Sequence, residues 1–177
     1  MDKPINPLQA IGELLAGRAQ PVIAPERLAP SAIYDLQYRM AVIASAFEIH
    51  AKPYAFSQRR IHAARLKLLQ FIACRPWLLG MLRRWGEAQH DAQLSMATSQ
   101  RLRRGFLGDQ MHEDVVAFLL ARGMLIWSGS HIAAGPGADW LRQLHSANIE
   151  HGLFSVERDA LEKMLNIRIT NAMLEGW

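Results

Sequence analysis

Residues 109–135 constrain the fold more than any other stretch of the sequence. Met111, Val115, Val116, Phe118, Leu119 and Leu120 fill one wide helical arc. Asp109 stands at the capping position and Gly123 at the C′ position that stops a helix. Met124-Leu125-Ile126-Trp127 follows at once, then the turn Ser128-Gly129-Ser130 and the return His131-Ile132-Ala133, which is the pattern of a small hairpin at about 124–134. A helix closed by glycine and followed directly by a hairpin is how a winged-helix unit ends, although helix–Gly–strand steps also occur in other α+β folds. The predicted class is therefore mainly α: a helical domain with a winged-helix-like unit ending in a small β-hairpin.

The remaining pattern is helical and free of repeats. Residues 1–30 hold one short amphipathic segment, Leu8–Ala16, with Ile11, Leu14 and Leu15 on one side. A linker follows, in which Pro21, Pro25 and Pro30 forbid a continuous helix. Such a leading helix on a proline-rich tether clips onto a partner or onto its own domain. Residues 31–135 form the predicted core. They open with a helix from Ser31 to His50, ended by Lys52-Pro53, and continue with a second from a cap at Ser57 to Cys74. Arg65 falls inside the apolar arc of that second helix, either snorkelling to its edge or meeting an ion-pair partner. Trp77–Gly86 reads as a third helix. Residues 136–177 read as a C-terminal helical pair, Ala138 to about Ile149 and a helix capped by Ser155. The apolar arc of the latter (Val156, Leu161, Met164, Leu165, Ile167, Ile169 and Met173) is broad enough for deep burial or a partner surface. Leu161, Leu165 and Met173 are its candidate protein-interface residues.

Charge is distributed unevenly. Between Ser57 and Arg104 there are ten Lys or Arg residues against two acids, Glu87 and Asp91. This segment carries +8 in a chain whose total is +4, so the rest carries −4. A basic middle between acidic ends is either a solvated helix surface or a docking face for nucleic acid or an acidic protein. The candidate contact residues are Arg59, Arg60, Lys67, Arg83, Arg84, Arg101, Arg103 and Arg104. Arg83 and Arg84 stand next to Trp85, which is either a core side chain or a stacking platform.

Catalytic signatures are missing from the sequence. His112-Glu113 has Val at position 116 where a zincin needs its second histidine. His145 and His151 are six residues apart with no Cys or carboxylate pair to complete a zinc site, and His90-Asp91 stands by itself. No metal or cofactor is expected. No P-loop or dinucleotide fingerprint is present, and Trp127-Ser128-Gly129-Ser130 lacks the strand–Ser–helix context of a nucleophile elbow. The single cysteine, Cys74, ends an apolar helix far from any histidine and reads as a buried thiol, suited to a reducing cytoplasm. No run of eighteen apolar residues suggests a membrane span.

A winged helix that reads sequence places basic and amide side chains at the start of the helix before the hairpin. Here that start is Asp109-Gln110-Met111-His112-Glu113-Asp114, and three carboxylates facing phosphates are repelled. Only Gln110 is suited to a base edge. DNA contact by this chain is expected from the basic helices upstream, directed at the backbone and weakened by salt.

The opening helix Ile33–Phe47, the Ser57–Cys74 helix followed by Trp77-Leu78-Leu79, and the run Val115-Val116-Ala117-Phe118-Leu119-Leu120-Ala121-Arg122-Gly123-Met124-Leu125-Ile126-Trp127 together carry a resemblance. Over roughly residues 31–135 the chain resembles the middle component of bacterial three-component systems built around an SMC-like ABC ATPase, the group that includes Lamassu-type anti-phage and anti-plasmid defence. The likeness is one of pattern, and the N-terminal segment and last helix lie outside it. It implies a non-enzymatic adaptor joining the ATPase to an effector such as a nuclease, with no active site of its own. Two alternatives stand beside it: a winged-helix transcriptional regulator acting as a homodimer, and a small enzyme whose polar groups converge only in the fold.

Overall fold

A computed structural model describes residues 35–54, 58–87 and 92–175. The expected N-terminal helix at Leu8–Ala16, its proline-rich linker and the Ser57 cap lie outside these residues. The described chain is mainly helical, with one small antiparallel sheet. None of its helices is long and apolar enough to cross a membrane.

Helix α1 (Leu36–His50) runs through the centre. Asp35 caps it, its carboxylate accepting from the Gln37 and Tyr38 amides at 2.8 and 3.2 Å. Burial wraps all round α1 rather than along one stripe, from Tyr38 and Arg39 through Phe47 to His50. A helix enclosed on every side packs against several others, and α1 touches α2 (Ala63–Ala73), α5 (Met111–Ala121), α6 (Asp139–Glu150) and α7 (Ser155–Met164).

The second expected helix is shorter than its pattern. Residues Gln58–His62 form strand β2, which pairs with β1 (Lys52–Tyr54), and α2 starts only at Ala63. The reason is tertiary: Ile61 turns into the core and lies opposite Ile132 of β4 (His131–Ala134), a partner invisible to local helical spacing. Pro53 is accommodated because β1 is an edge strand of the order β1-β2-β4-β3, with β3 at Leu125–Ser128. After α2 the chain passes through a 3₁₀ turn at Pro76–Leu78 into α3 (Leu79–Glu87). Helix α4 (Ala92–Leu107) then packs against α3.

The winged-helix-like ending is present. Helix α5 closes on Gly123, whose φ is 67°. The Gly123 amide bonds the Leu120 carbonyl at 2.9 Å and the Met124 amide bonds that of Leu119 at 3.0 Å, a Schellman closure. Strand β3 (Leu125–Ser128) and β4 form the hairpin, with Gly129 at φ 63° in its two-residue loop. Through the β2–β4 pairing the unit gains a third and a fourth strand that the local pattern did not reveal.

Asp109 is not the cap of α5. Gln110 holds that position without a side-chain bond, and the Asp109 carboxylate instead turns into the interior. Beyond β4, α6 and α7 both lie against α1. Ser155 is the first residue of α7 and Phe154 its cap, at φ 54°. The expected long terminal helix breaks after Met164. Ile167 and Ile169 fold back onto the core from a non-helical stretch before α8 (Asn171–Glu175).

Candidate interaction surfaces

The eight basic candidates divide by what their side chains already hold. Arg59 is engaged by α1, donating to both the carboxylate and the carbonyl oxygen of Glu48. Arg60 lies on β2 opposite Ala133 and is partly covered. Lys67 donates to Glu113 at 2.5 Å, and its ammonium lies 5.1 Å from the centre of the Phe106 ring. These three belong to the sheet and to the α2–α5 seam.

Arg83 and Arg84 on α3, and Arg101, Arg103 and Arg104 on α4, are different. All five are exposed, and among the described residues none of them has an ion-pair or hydrogen-bond partner. The two helices are held together from the opposite side, where Leu82, Trp85, Leu102 and Phe106 are buried. Trp85 is thus a core residue, not a stacking platform. Phe106 meets Phe71 edge-on, with ring centres 6.2 Å apart, and the close approach of α4 requires Gly105, where a Cβ would run into the Phe71 ring. The result is a packed helix pair with arginines on its outside. Guanidinium groups standing free on ordered helices are suited to phosphate or carboxylate forks.

The three interface candidates are also separated. Leu161 is completely buried in the core and offers no surface; its carbonyl bonds His50 Nε2 at 2.8 Å. Leu165 is 54% exposed just past the end of α7, and Met173 is partly buried against the core. The broad apolar arc is therefore mostly core, because the chain folds back after Met164 and brings Ile167 and Ile169 inward, while Val156 and Leu165 stay exposed.

A second surface is signalled by no motif. Helices α2 and α5 and the hairpin enclose a groove of about 420 Å³. Ala63, Ala64 and Lys67 supply one wall, and Val116, Ala117 and Leu120 the other. Trp127, 57% exposed, stands beside Ile132 on the hairpin side. The groove is open because alanines occupy facing positions on both helices. Its sequence signature is the pair Ala63-Ala64 with Ala117, which reads as ordinary helix until the two helices are placed side by side.

Behind the groove lies a buried polar network. Arg39 donates to both Asp109 oxygens at 2.9 and 3.0 Å, and Arg75 adds a third bond at 3.1 Å. Gln70 bridges the centre: its Nε2 donates to the Arg39 carbonyl at 3.2 Å, while its Oε1 lies 2.5 Å from His112 Nδ1. That arrangement makes His112 Nδ1 the protonated nitrogen of a neutral ring, and burial pulls its pKa down to about 4. Cys74 is fully buried and burial pushes its thiol up to about 11, so it is not a nucleophile. On the far side of α1, Tyr38 donates to Glu157 at 2.9 Å, and burial raises the pKa of that carboxyl. Arg65 donates to the Ile169 carbonyl at 3.3 Å, holding the refolded tail.

Among the described residues, no three His, Cys, Asp or Glu side chains cluster to hold a metal ion. Comparison with protein-family models, with curated proteins and with solved structures finds no match for this chain.

Proposed function

We propose that this protein is a non-enzymatic adaptor subunit. In this reading it joins an SMC-like ATPase to an effector such as a nuclease and meets the DNA backbone through α3 and α4. The observation that supports it best is the set of five exposed arginines, Arg83, Arg84, Arg101, Arg103 and Arg104, without partners among the described residues and carried on two helices packed together. Guanidinium groups arrayed on an exposed helical face attract phosphates without reading bases, as an adaptor that loads onto DNA of any sequence requires. The identity of the ATPase partner rests on the resemblance carried by residues 31–135.

The regulator alternative is less well supported. The start of α5 places Glu113 and Asp114 at the exposed end and buries His112, so the helix before the hairpin offers phosphate two carboxylates and no arginine.

Co-purification with an SMC-like ATPase and effector encoded beside it, together with DNA binding at several salt concentrations, tests the proposal. The expected result is a ternary complex whose affinity for DNA falls with salt and collapses when Arg101, Arg103 and Arg104 are all changed to Glu. A chain that purifies alone as a homodimer and binds one operator tightly would be a regulator instead. Binding unchanged by the triple reversal at every salt concentration would remove the arginine assignment.

A further inference from the structure

We propose that the groove between α2, α5 and the hairpin is a binding site for a small uncharged aromatic molecule carrying one N–H or O–H group, which donates to His112 Nε2. The acceptor follows from the network behind the groove. Gln70 donates through its own Nε2 to the Arg39 carbonyl, so its Oε1 faces His112 and the histidine ring must donate through Nδ1. The imidazole is therefore neutral, with a bare lone pair on Nε2, and burial keeps it neutral down to about pH 4. His112 lines the groove, and with Nδ1 turned inward to Gln70 it presents the opposite edge of its ring. Among the described residues nothing bonds His112 Nε2, yet this nitrogen is not sealed from solvent. An acceptor left unpaired beside apolar walls costs free energy that a ligand donor recovers.

Size and charge select this occupant over a protein segment or an ion. The groove holds about 420 Å³, within the range of small-molecule sites. A single turn of α-helix, about 5.4 Å long and 10 Å across, already takes up a similar volume, so a helical segment could seat only its side chains there. The two charged residues at the groove, Lys67 and Glu113, bond each other at 2.5 Å and leave no net charge to hold an ion. A charged ligand would give up water for the carbon of Val116, Leu120 and Ile132 without compensation. Aromatic character follows from Trp127, whose exposed indole stands ready to stack at the hairpin side. It follows also from Ala63, Ala64 and Ala117, which are too small to fill the space between the helices. None of the exposed arginines of α3 and α4 lines the groove, so the site is separate from the proposed DNA face.

The test uses the full chain and a matched pair of probes, indole and N-methylindole, followed by NMR of the backbone amides. Indole is expected to shift the amides of Ala64, Val116 and Ala117 in a saturable titration. N-methylindole has nearly the same shape but no N–H, and should bind at least about fivefold more weakly. Ala117→Phe fills the groove from an exposed position and should abolish both titrations while the melting transition stays in place. His112→Asn removes the ring nitrogen and should bind the two probes alike. Equal affinity of wild type for both probes would mean that the groove takes any apolar body, and the proposal fails. It fails also if indole at millimolar concentration shifts no groove amide, or if the free chain is a dimer that Ala117→Phe dissociates, since a second copy then fills the groove.

Discussion

Arg39 and Asp109, seventy residues apart in the chain, form a two-pronged ion pair in which the arginine is entirely buried. This pair ties the central helix α1 to the entrance of α5, and Arg75 approaches the same carboxylate from the end of α2. Three elements of the domain thus converge on one aspartate.

Removing that carboxylate takes two charge-assisted hydrogen bonds from the fully buried Arg39 guanidinium. Asp109→Ala is expected to destabilise the protein by about 3–5 kcal/mol in urea denaturation. A pair is expected to be less costly to lose than one half of it, so Arg39→Met combined with Asp109→Leu should recover most of that loss. A double variant as unstable as the summed single variants would show that the two residues act independently.

His112 makes stability depend on pH. In the unfolded chain its pKa is 6.5, and in the folded protein burial holds it near 4. Above pH 6.5 the ring is neutral in both states and titration contributes nothing. As pH falls from 6.5 to 4 the unfolded state takes up the proton first, and stability drops by about 3 kcal/mol in all. His112→Asn keeps a donor for Gln70 and removes the titration. The urea midpoint of this variant should fall less steeply with acid than that of wild type. Parallel pH profiles would refute the assignment.

Glycine is required for different reasons at two neighbouring turns. At Gly123 the backbone has positive φ with open space around it, so Gly123→Ala should cost about 1 kcal/mol. At Gly135 a Cβ would run into the Gly123 carbonyl and the backbone of Met124, so Gly135→Ala must shift the chain and should cost more. Thermal melts of the two variants should rank in that order.

The arginines on α3 and α4 should matter for binding and not for stability. Arg83→Ala and Arg84→Ala are each expected to leave the melting transition within about 0.5 kcal/mol of wild type. In DNA binding, an arginine that neutralises one phosphate should, once replaced, flatten the slope of log K against log salt by about 0.9. An unchanged slope would exclude these side chains from the DNA backbone.

The α5–Gly123–hairpin step is legible in the sequence because helical spacing, a positive-φ stop and a two-residue turn are all local signals, written within 27 consecutive residues. The buried state of Cys74 is legible in the same way, from its apolar flank. Strand β2 is not, because Gln58–His62 carries helix-compatible spacing and becomes a strand only when β4 pairs with it. Asp109 looks like a cap because caps are recognised by position. Its actual role depends on Arg39, brought to it by the packing of α1.

By itself, the sequence determined that the chain is mainly helical, that a hairpin follows a glycine-stopped helix, and that positive charge concentrates in residues 57–104. These properties follow from periodicity, turn chemistry and composition, which act over a few residues. Tertiary structure alone decided which of those charges remain available. Arg59 and Lys67 are taken by Glu48 and Glu113, whereas the arginines of α3 and α4 face outward. It likewise turned Leu161 into core and opened a groove where three alanines meet. Such outcomes depend on which surfaces of distant helices come together, because an ion pair or a cavity is a relation between two elements and is encoded in neither.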